Sequence, residues 1–403
     1  VSRKDWRDFD WPLLLFALAA ALFGVAVIYS ATIHDPGLVH SFSFSNYPIR
    51  QVFYLSVGLV CFVLLTNANY QFFAKYAVWF YLAALGLLVA VEVLPERFSE
   101  TVAGAKRWIS LPYFQLQPSE IAKFALIVAL ARYFSDQQKK MKSLRVILTS
   151  LAIMAVPATL IFKEPDLGSA LVLVAIWLGM LIAARPRWAY IGGGLLLALP
   201  TCYYAWQYAL HDYQKVRLLS FLDLDKYKTD EAFNLIQSRI SVSSGNLFGQ
   251  GWLHGEQNQG GYLLVRYADF IYSVVCEEFG FIGAVALVIL LYLIVWRCLS
   301  ISLKARDEFG SYLCVGVATM LLTQIFVNVG MNVGLLPVTG IPLPFISYGG
   351  TSIIIVFVAL ALCQSVAIHR SSGVYDYMDY EQQKIVAPDY QPRPSRTPSA
   401  RRR

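Results

Sequence analysis

Ten apolar stretches occupy most of this 403-residue chain, at roughly 11–32, 50–67, 76–94, 119–134, 145–162, 167–184, 188–206, 271–297, 311–336 and 350–368. A helix needs about 20 such residues to cross the hydrocarbon core of a bilayer. Hydrocarbon offers no water to backbone N–H and C=O groups, so a chain of this kind must satisfy them within helices. The chain is 57% hydrophobic and 15% charged, whereas a soluble domain carries about 25% charged residues. These observations predict an all-α integral membrane protein of about ten spans. Residues 1–10 form a short N-terminus, 11–370 the membrane domain and 371–403 a basic tail.

Lysine and arginine in short loops set orientation. Arg3, Lys4 and Arg7 precede the first span, Lys139, Lys140, Lys142 and Arg145 separate the fourth and fifth, Arg185 and Arg187 the sixth and seventh, and Arg297, Lys304 and Arg306 the eighth and ninth. Counted from a cytoplasmic N-terminus, all of these fall on the cytoplasmic side, and the C-terminus returns there. The net charge of +7 is this bias and not a nucleic-acid signal. The tail PRPSRTPSARRR reads as disordered and apt to lie against anionic lipid. The first span follows Asp8 and Asp10 and lacks a clear cleavage site, so it is expected to be retained. The six cysteines lie in or beside apolar spans without a CxxC or Cys/His cluster, which predicts neither zinc nor a disulfide framework.

The polar residues concentrate in three loops on the other side. In AKRWISLPYFQLQPSEIAKF, Ser119 reads as a helix N-cap before Glu120. Glu120 and Lys123, three apart, share a helical face; they form either a helix-stabilising pair or an ion pair lining a polar cavity. Lys106, Arg107 and Trp108 fit an interfacial anchor or a phosphate clamp. In the turn Lys163-Glu164-Pro165-Asp166, capping of the next helix accounts for Asp166 but leaves Glu164 unexplained. The loop at 207–270 is far longer than a connector. Its segment FNLIQSRISVSSGNLFGQGW carries Gln237, Ser238 and Arg239 and then glycines suited to tight turns.

That loop ends in RYADFIYSVVCEEFG. A carboxylate inside a membrane costs roughly 2.5–3.5 kcal/mol on insertion scales, so a chain that retains three here should use them. On a helix, Asp269, Ser273, Cys276, Glu277 and Gly280 share one side and Glu278 faces another. Asp269 would stand at the mouth, with Glu277 roughly 12 Å deeper. The mouth acid suits a general base and the inner pair suits structural hydrogen bonding; a proton or cation path is the rival.

Five ordered segments resemble the SEDS family, the shape, elongation, division and sporulation proteins that polymerise peptidoglycan from lipid II. They are KRWISL with QPSEIAKF, KEPDLGSALV, QSRISVSSGNLFGQGW, ADFIYSVVCEEFGFIGA and VNVGMNVGLLPVTGIPLPFISYGGTS. IYSAT, DYQKVRLLSFLD and KARDEFG are most similar to the family's elongation member rather than its division member. One departure precedes Asp269: the family usually has Pro-Glu-x-His-Thr, and this chain has Leu264-Val265-Arg266-Tyr267-Ala268.

The resemblance implies a glycosyltransferase in the bacterial inner membrane, active on the extracytoplasmic side during cell elongation. Asp269 would be its catalytic base. Lys106, Arg107, Trp108, Glu120, Lys123, Glu164, Asp166, Gln237, Ser238, Arg239, Glu277, Ser347 and Tyr348 would contact substrate, with Lys106, Arg107, Lys123 and Arg239 on the pyrophosphates. The implied partners are lipid II, the nascent glycan, a class B penicillin-binding protein (a transpeptidase) and other membrane proteins of the elongation complex. Carboxylates with pyrophosphate suit Mg²⁺ or Mn²⁺, but no motif specifies a metal. A lipid II flippase and a non-enzymatic scaffold are the alternative readings; a flippase should carry polar groups through the whole membrane depth.

Overall fold

The computed structural model describes residues 8–33, 46–95, 99–102, 105–111, 114–209, 233–263 and 265–369, together with 215, 219 and 221. The expected basic tail and residues 210–214 and 222–232 of the long loop lie outside these. Each of the ten apolar stretches coincides with a helix: α1 (Trp11–Thr32), α2 (Tyr47–Asn67), α4 (Ala77–Val93), α5 (Pro118–Asp136), α6 (Leu144–Lys163), α7 (Leu167–Ala183), α8 (Trp188–Tyr204), α11 (Ile271–Leu303), α12 (Glu308–Asn332) and α13 (Gly350–Ile368). The short α3 (Gln71–Lys75), α9 (Phe233–Ser244) and α10 (Glu256–Gln259) complete the set described below. Six helices, α1, α2, α6, α11, α12 and α13, are long and apolar enough to cross a membrane. The protein is a multi-pass membrane protein of mostly helical structure.

Helix ends follow local chemistry. Asp10 caps α1 by accepting from Leu13 N at 3.0 Å, with Pro12 in the first turn. Asp166 caps α7 as expected, accepting from Ser169 N at 3.0 Å. Ser119 does not cap α5. The helix begins two residues earlier, because Pro118 needs no N–H partner and its fixed φ suits the first helical position; Gln117 is the flanking residue.

α12 and α13 form the buried centre. α12 packs on α5, α7 and α11, α13 packs on α2, and α1 lies along α11. The buried side of α1 is largely small, with Ala17, Ala20, Ala21, Gly24 and Ala31. Small residues let membrane helices approach closely, where lipid provides no hydrophobic drive to associate. Leu22, Val78, Trp79 and Phe326 remain outward and exposed, as lipid-facing residues should be.

Two features were not anticipated. Strands β1 (Ser99–Val102), β2 (Ala105–Leu111) and β3 (Phe114–Leu116) form an antiparallel sheet in the order β1-β2-β3 before α5. Further on, α11 is broken at Gly280, which has φ 66° and ψ −169°. The break frees backbone groups that hydrocarbon cannot satisfy, and residues 246–251 fill it. Phe281 N and Ile282 N donate to Asn246 O and Leu247 O at 2.9 and 3.2 Å. Gln250 N and Gly251 N donate to Glu277 O and Glu278 O at 2.9 and 3.0 Å. A Cβ on Gly280 would stand 2.3 Å from Gly249 N, so only glycine permits this stitch. Irregular backbone is tolerated at such depth where protein covers it.

Candidate active site

The pair Glu277 and Glu278 stands just before that break, and the geometry explains its presence. The Glu277 carboxylate accepts from Gln257 N at 2.6 Å and Asn258 N at 3.1 Å, at the start of α10. Glu278 accepts from Asn258 Nδ2 at 2.9 Å and from Ser30 Oγ on α1. Both are almost wholly buried. The inner acids therefore tie the long loop and α1 to α11, and the expectation of a substrate contact at Glu277 gives way to this bracing role. The helix also starts later than expected: Asp269 lies outside it, before Phe270 and Ile271.

Asp269 is half-buried and held by its main chain. Its carbonyl accepts from Asn328 Nδ2 and from Asn332 Nδ2, both at 3.0 Å. Asn328 Nδ2 also donates to Ile341 O at 2.8 Å, which joins the Asp269 turn to the segment after α12. Asn332 Oδ1 accepts from Ser273 N at 3.1 Å and Ser273 Oγ at 2.6 Å. Both asparagines are fully buried. They lie four apart on α12 and so share one face. Ser347 Oγ donates to Ala268 O at 2.7 Å and Tyr348 N to Tyr267 O at 2.9 Å. The Asp269 carboxylate adjoins Gly340, where a Cβ would come within 3.7 Å of Oδ2.

The departing residues before Asp269 have structural partners. Arg266 Nε donates to Ala31 O at 2.6 Å, which anchors the end of α1. Tyr267 stacks on Tyr47 at 4.4 Å between ring centroids and meets the edge of Tyr348. Burial pushes the Tyr348 phenol up to about 12, against the opposing effect of Arg50, so it stays neutral near pH 7. Leu264 lies outside the described residues.

The other expected residues divide into two groups. Lys123 Nζ and Glu120 Oε1 form an ion pair at 2.6 Å with both side chains at 2% exposure or less. Arg107 turns inward from β2 and donates to the carbonyls of Glu164 and Pro165; it braces the α6–α7 turn. Lys106 and Trp108 alternate with it along the strand and are half-exposed. Glu164 is buried, and its Oε1 has no hydrogen-bond partner among the described residues. Burial, reinforced by Asp166 and opposed by Arg107, pushes its carboxyl up to about 8. Ser238 is buried and donates to Asn332 O at 2.8 Å, so it docks α9 against the asparagine pair. Its neighbour Arg239 is exposed and runs past Gly334, while Gln237 is half-buried. Ser347 is likewise a positioning contact, buried between Ala268 and Leu343.

These elements meet at one end of the bundle. Gly168 at the start of α7 abuts Thr339 O and Ile341, next to the Gly340 that faces Asp269. Gln117 N, before α5, donates to Thr351 Oγ1 at the start of α13 at 3.1 Å. The Asn328–Asn332 pair was missed in the sequence-based list of site residues. Its signal is two amides at i and i+4 in an apolar span, since polar groups inside membrane helices face interiors and serve function. Among the described residues, no group of three or more His, Cys, Asp or Glu side chains is arranged to hold a metal ion. The side chains around Asp269 do not by themselves fit a divalent ion.

A buried amide pair thus grips the turn of a half-buried acid at one end of a multi-pass helical bundle. Residues 10–372 match the FtsW/RodA/SpoVE family of cell cycle proteins, and the chain belongs to that family. It is 33% identical over 372 residues to the peptidoglycan glycosyltransferase MrdB of Escherichia coli K12, covering 92% of this chain and 97% of that one. It is 35% identical over 375 residues to the probable peptidoglycan glycosyltransferase FtsW of Geobacter metallireducens, covering 91% and 96%. The fold is similar to the rod shape determining protein RodA of Thermus thermophilus, with TM-score 0.65, 27% identity, and 91% and 98% coverage. It is also similar, with TM-score 0.74, 28% identity, and 91% and 99% coverage, to a chain in a structure described as "Structural coordination of polymerization and crosslinking by a peptidoglycan synthase complex". The resemblance read from the five segments is thus borne out at the level of the family.

Proposed function

We propose that the chain is a peptidoglycan glycosyltransferase that polymerises lipid II, with Asp269 as general base. The observation that carries this reading is the grip on Asp269: its carbonyl is pinned by two buried amides, and the residue, only half-buried, turns its carboxylate toward Gly340. A sugar hydroxyl of one substrate attacks the anomeric carbon of another. The new glycosidic C–O bond forms as the bond to pyrophosphate breaks, undecaprenyl pyrophosphate leaves, and the hydroxyl proton passes to Asp269. A base held in place this way contributes about 10²–10⁴-fold. In this reading Arg239, which is exposed, and Lys106, which is half-exposed, bind the pyrophosphate, with the buried Lys123–Glu120 pair as a further candidate contact.

The finer topology belongs to the same proposal. Ten helices span the bacterial inner membrane, both termini are cytoplasmic, and Asp269 faces the extracytoplasmic side; the lysine and arginine pattern of the loops supports this. The partner is a class B penicillin-binding protein within the elongation complex, in keeping with the synthase complex whose chain this fold resembles.

The test is polymerisation of lipid II by the purified full chain, with and without the transpeptidase, using wild type and Asp269→Asn. The Asn variant is expected to fold and insert but to form no glycan. Near-normal polymerisation by that variant would remove Asp269 as the base. No polymerisation by wild type, with or without partner, would overturn the enzymatic reading.

A further inference from the structure

The bundle end opposite Asp269 holds a cavity of about 850 Å³ that the polymerase reading does not use. Three separate turns converge on it. Lys139 and Lys142 come from the segment between α5 and α6, Arg185 from the α7–α8 turn and Arg306 from the α11–α12 turn. All four are exposed, and Lys139, Lys142 and Arg185 form no ion pair among the described residues. Two acids also line the cavity. Asp307 is already engaged: it caps α12 through Gly310 N at 3.0 Å and accepts from Tyr70 and Gln71. Glu308 lies in the first turn of α12, where a carboxylate suits the helix N-terminus. The cations therefore dominate the cavity.

Two further details bear on the occupant. Arg185 has φ 54°, in the left-handed region that non-glycine residues adopt only at a cost. Tyr190 OH donates to Lys142 O at 3.2 Å, so α8 holds the lysine-bearing turn in place. The rim, in contrast, is apolar and outward: Leu303 is 88% exposed and Ile182 49% exposed, and both line the cavity. A free anion has no use for such a rim, whereas acyl chains running along the bundle would cover it. The volume lies in the range of specific small-molecule sites, about 300–1,000 Å³.

We infer that this cavity binds the phosphate headgroup of an anionic phospholipid, with the acyl chains along Leu303 and Ile182. Basic pockets between membrane helices suit such headgroups, because a cation near an anionic lipid surface contributes about fivefold in affinity.

The experiment uses the full chain, purified in detergent and stripped of lipid. Phosphatidylglycerol, phosphatidylcholine with the same acyl chains, and inorganic phosphate are added separately. Retained lipid is counted by native mass spectrometry, and thermal unfolding is recorded. Phosphatidylglycerol is expected to stay bound and to raise the unfolding temperature above that in phosphatidylcholine. The combined variant Lys139→Gln, Lys142→Gln, Arg185→Gln is expected to bind it at least about tenfold more weakly, with unchanged unfolding in phosphatidylcholine. Equal retention of the two lipids, or undiminished binding by the variant, overturns the inference. Stabilisation by inorganic phosphate equal to that by phosphatidylglycerol assigns the site to a free anion and overturns the lipid. If the triple variant does not fold, the single variants Lys142→Gln and Arg185→Gln decide, each expected to weaken binding about fivefold and each overturning the inference if it does not.

Discussion

Replacing Asn332 with Leu separates positioning from folding at the Asp269 turn. The Asn332 side chain donates to Asp269 O and Asn328 O at 3.0 and 2.8 Å and accepts from Ser273 N and Ser273 Oγ at 3.1 and 2.6 Å. Leucine, of similar size, removes all four. Few groups are left bare, because Asp269 O keeps Asn328 and Ser273 N keeps Phe270 O. Side-chain hydrogen bonds within membrane proteins average about 0.6 kcal/mol each, so the loss of stability should be about 2 kcal/mol. The catalytic loss should be far larger in proportion. With one of two clamps gone, the Asp269 turn can pivot about Asn328, and a misplacement of about 1 Å costs about 10²-fold in rate. The assays are thermal unfolding in detergent and initial rates of lipid II polymerisation. We expect a folded protein with modestly lowered stability, a rate down about 10²-fold and little change in KM. A rate within about threefold of wild type in a variant that shows the expected destabilisation would refute the argument that the amide pair positions the base.

Lys123→Met should destabilise the protein by about 3–5 kcal/mol, because it strands the Glu120 carboxylate in a buried site. Adding Glu120→Gln should restore folding in a melting assay but not polymerisation; full recovery of activity would make the pair purely structural. Glu164 gives a pH signature. Its carboxyl sits at about 8 in the fold against 4.5 for the ordinary group, so the folded chain holds this proton more tightly than the unfolded chain. Its stabilising effect is complete below pH 4.5 and is lost as pH rises to about 8. Glu164→Gln should flatten that decline in melts recorded from pH 4 to 9, and an unchanged slope would count against a buried neutral carboxyl. Polymerisation should persist in EDTA, because Arg266 and Tyr267 are committed to packing and offer no carboxylate or imidazole beside Asp269. Complete loss in EDTA with rescue at low Mg²⁺ or Mn²⁺ would reverse that expectation.

The solvent and the helices are legible in the chain alone, because hydropathy and length act locally: a stretch that cannot stay in water becomes a helix wherever it packs. So are contacts within one turn, such as the Glu120–Lys123 pair and the Asp166 cap, since helical geometry brings i and i+3 together whatever surrounds them. The SEDS segments pointed to Asp269 in the same way, by order along the chain. Contacts between residues far apart in sequence emerge only from the folded bundle. Arg107 looks like a phosphate clamp in KRW, but it braces carbonyls at Glu164 and Pro165. Glu277 looks like a lining acid on a continuous helix, but the helix breaks at Gly280, and the acid holds the start of α10. Asn328 and Asn332 are two ordinary amides in a span until folding brings Asp269 within 3.0 Å of both. A buried polar group must find a partner, but its own segment does not say which one; only the packing of distant helices brings that partner within reach.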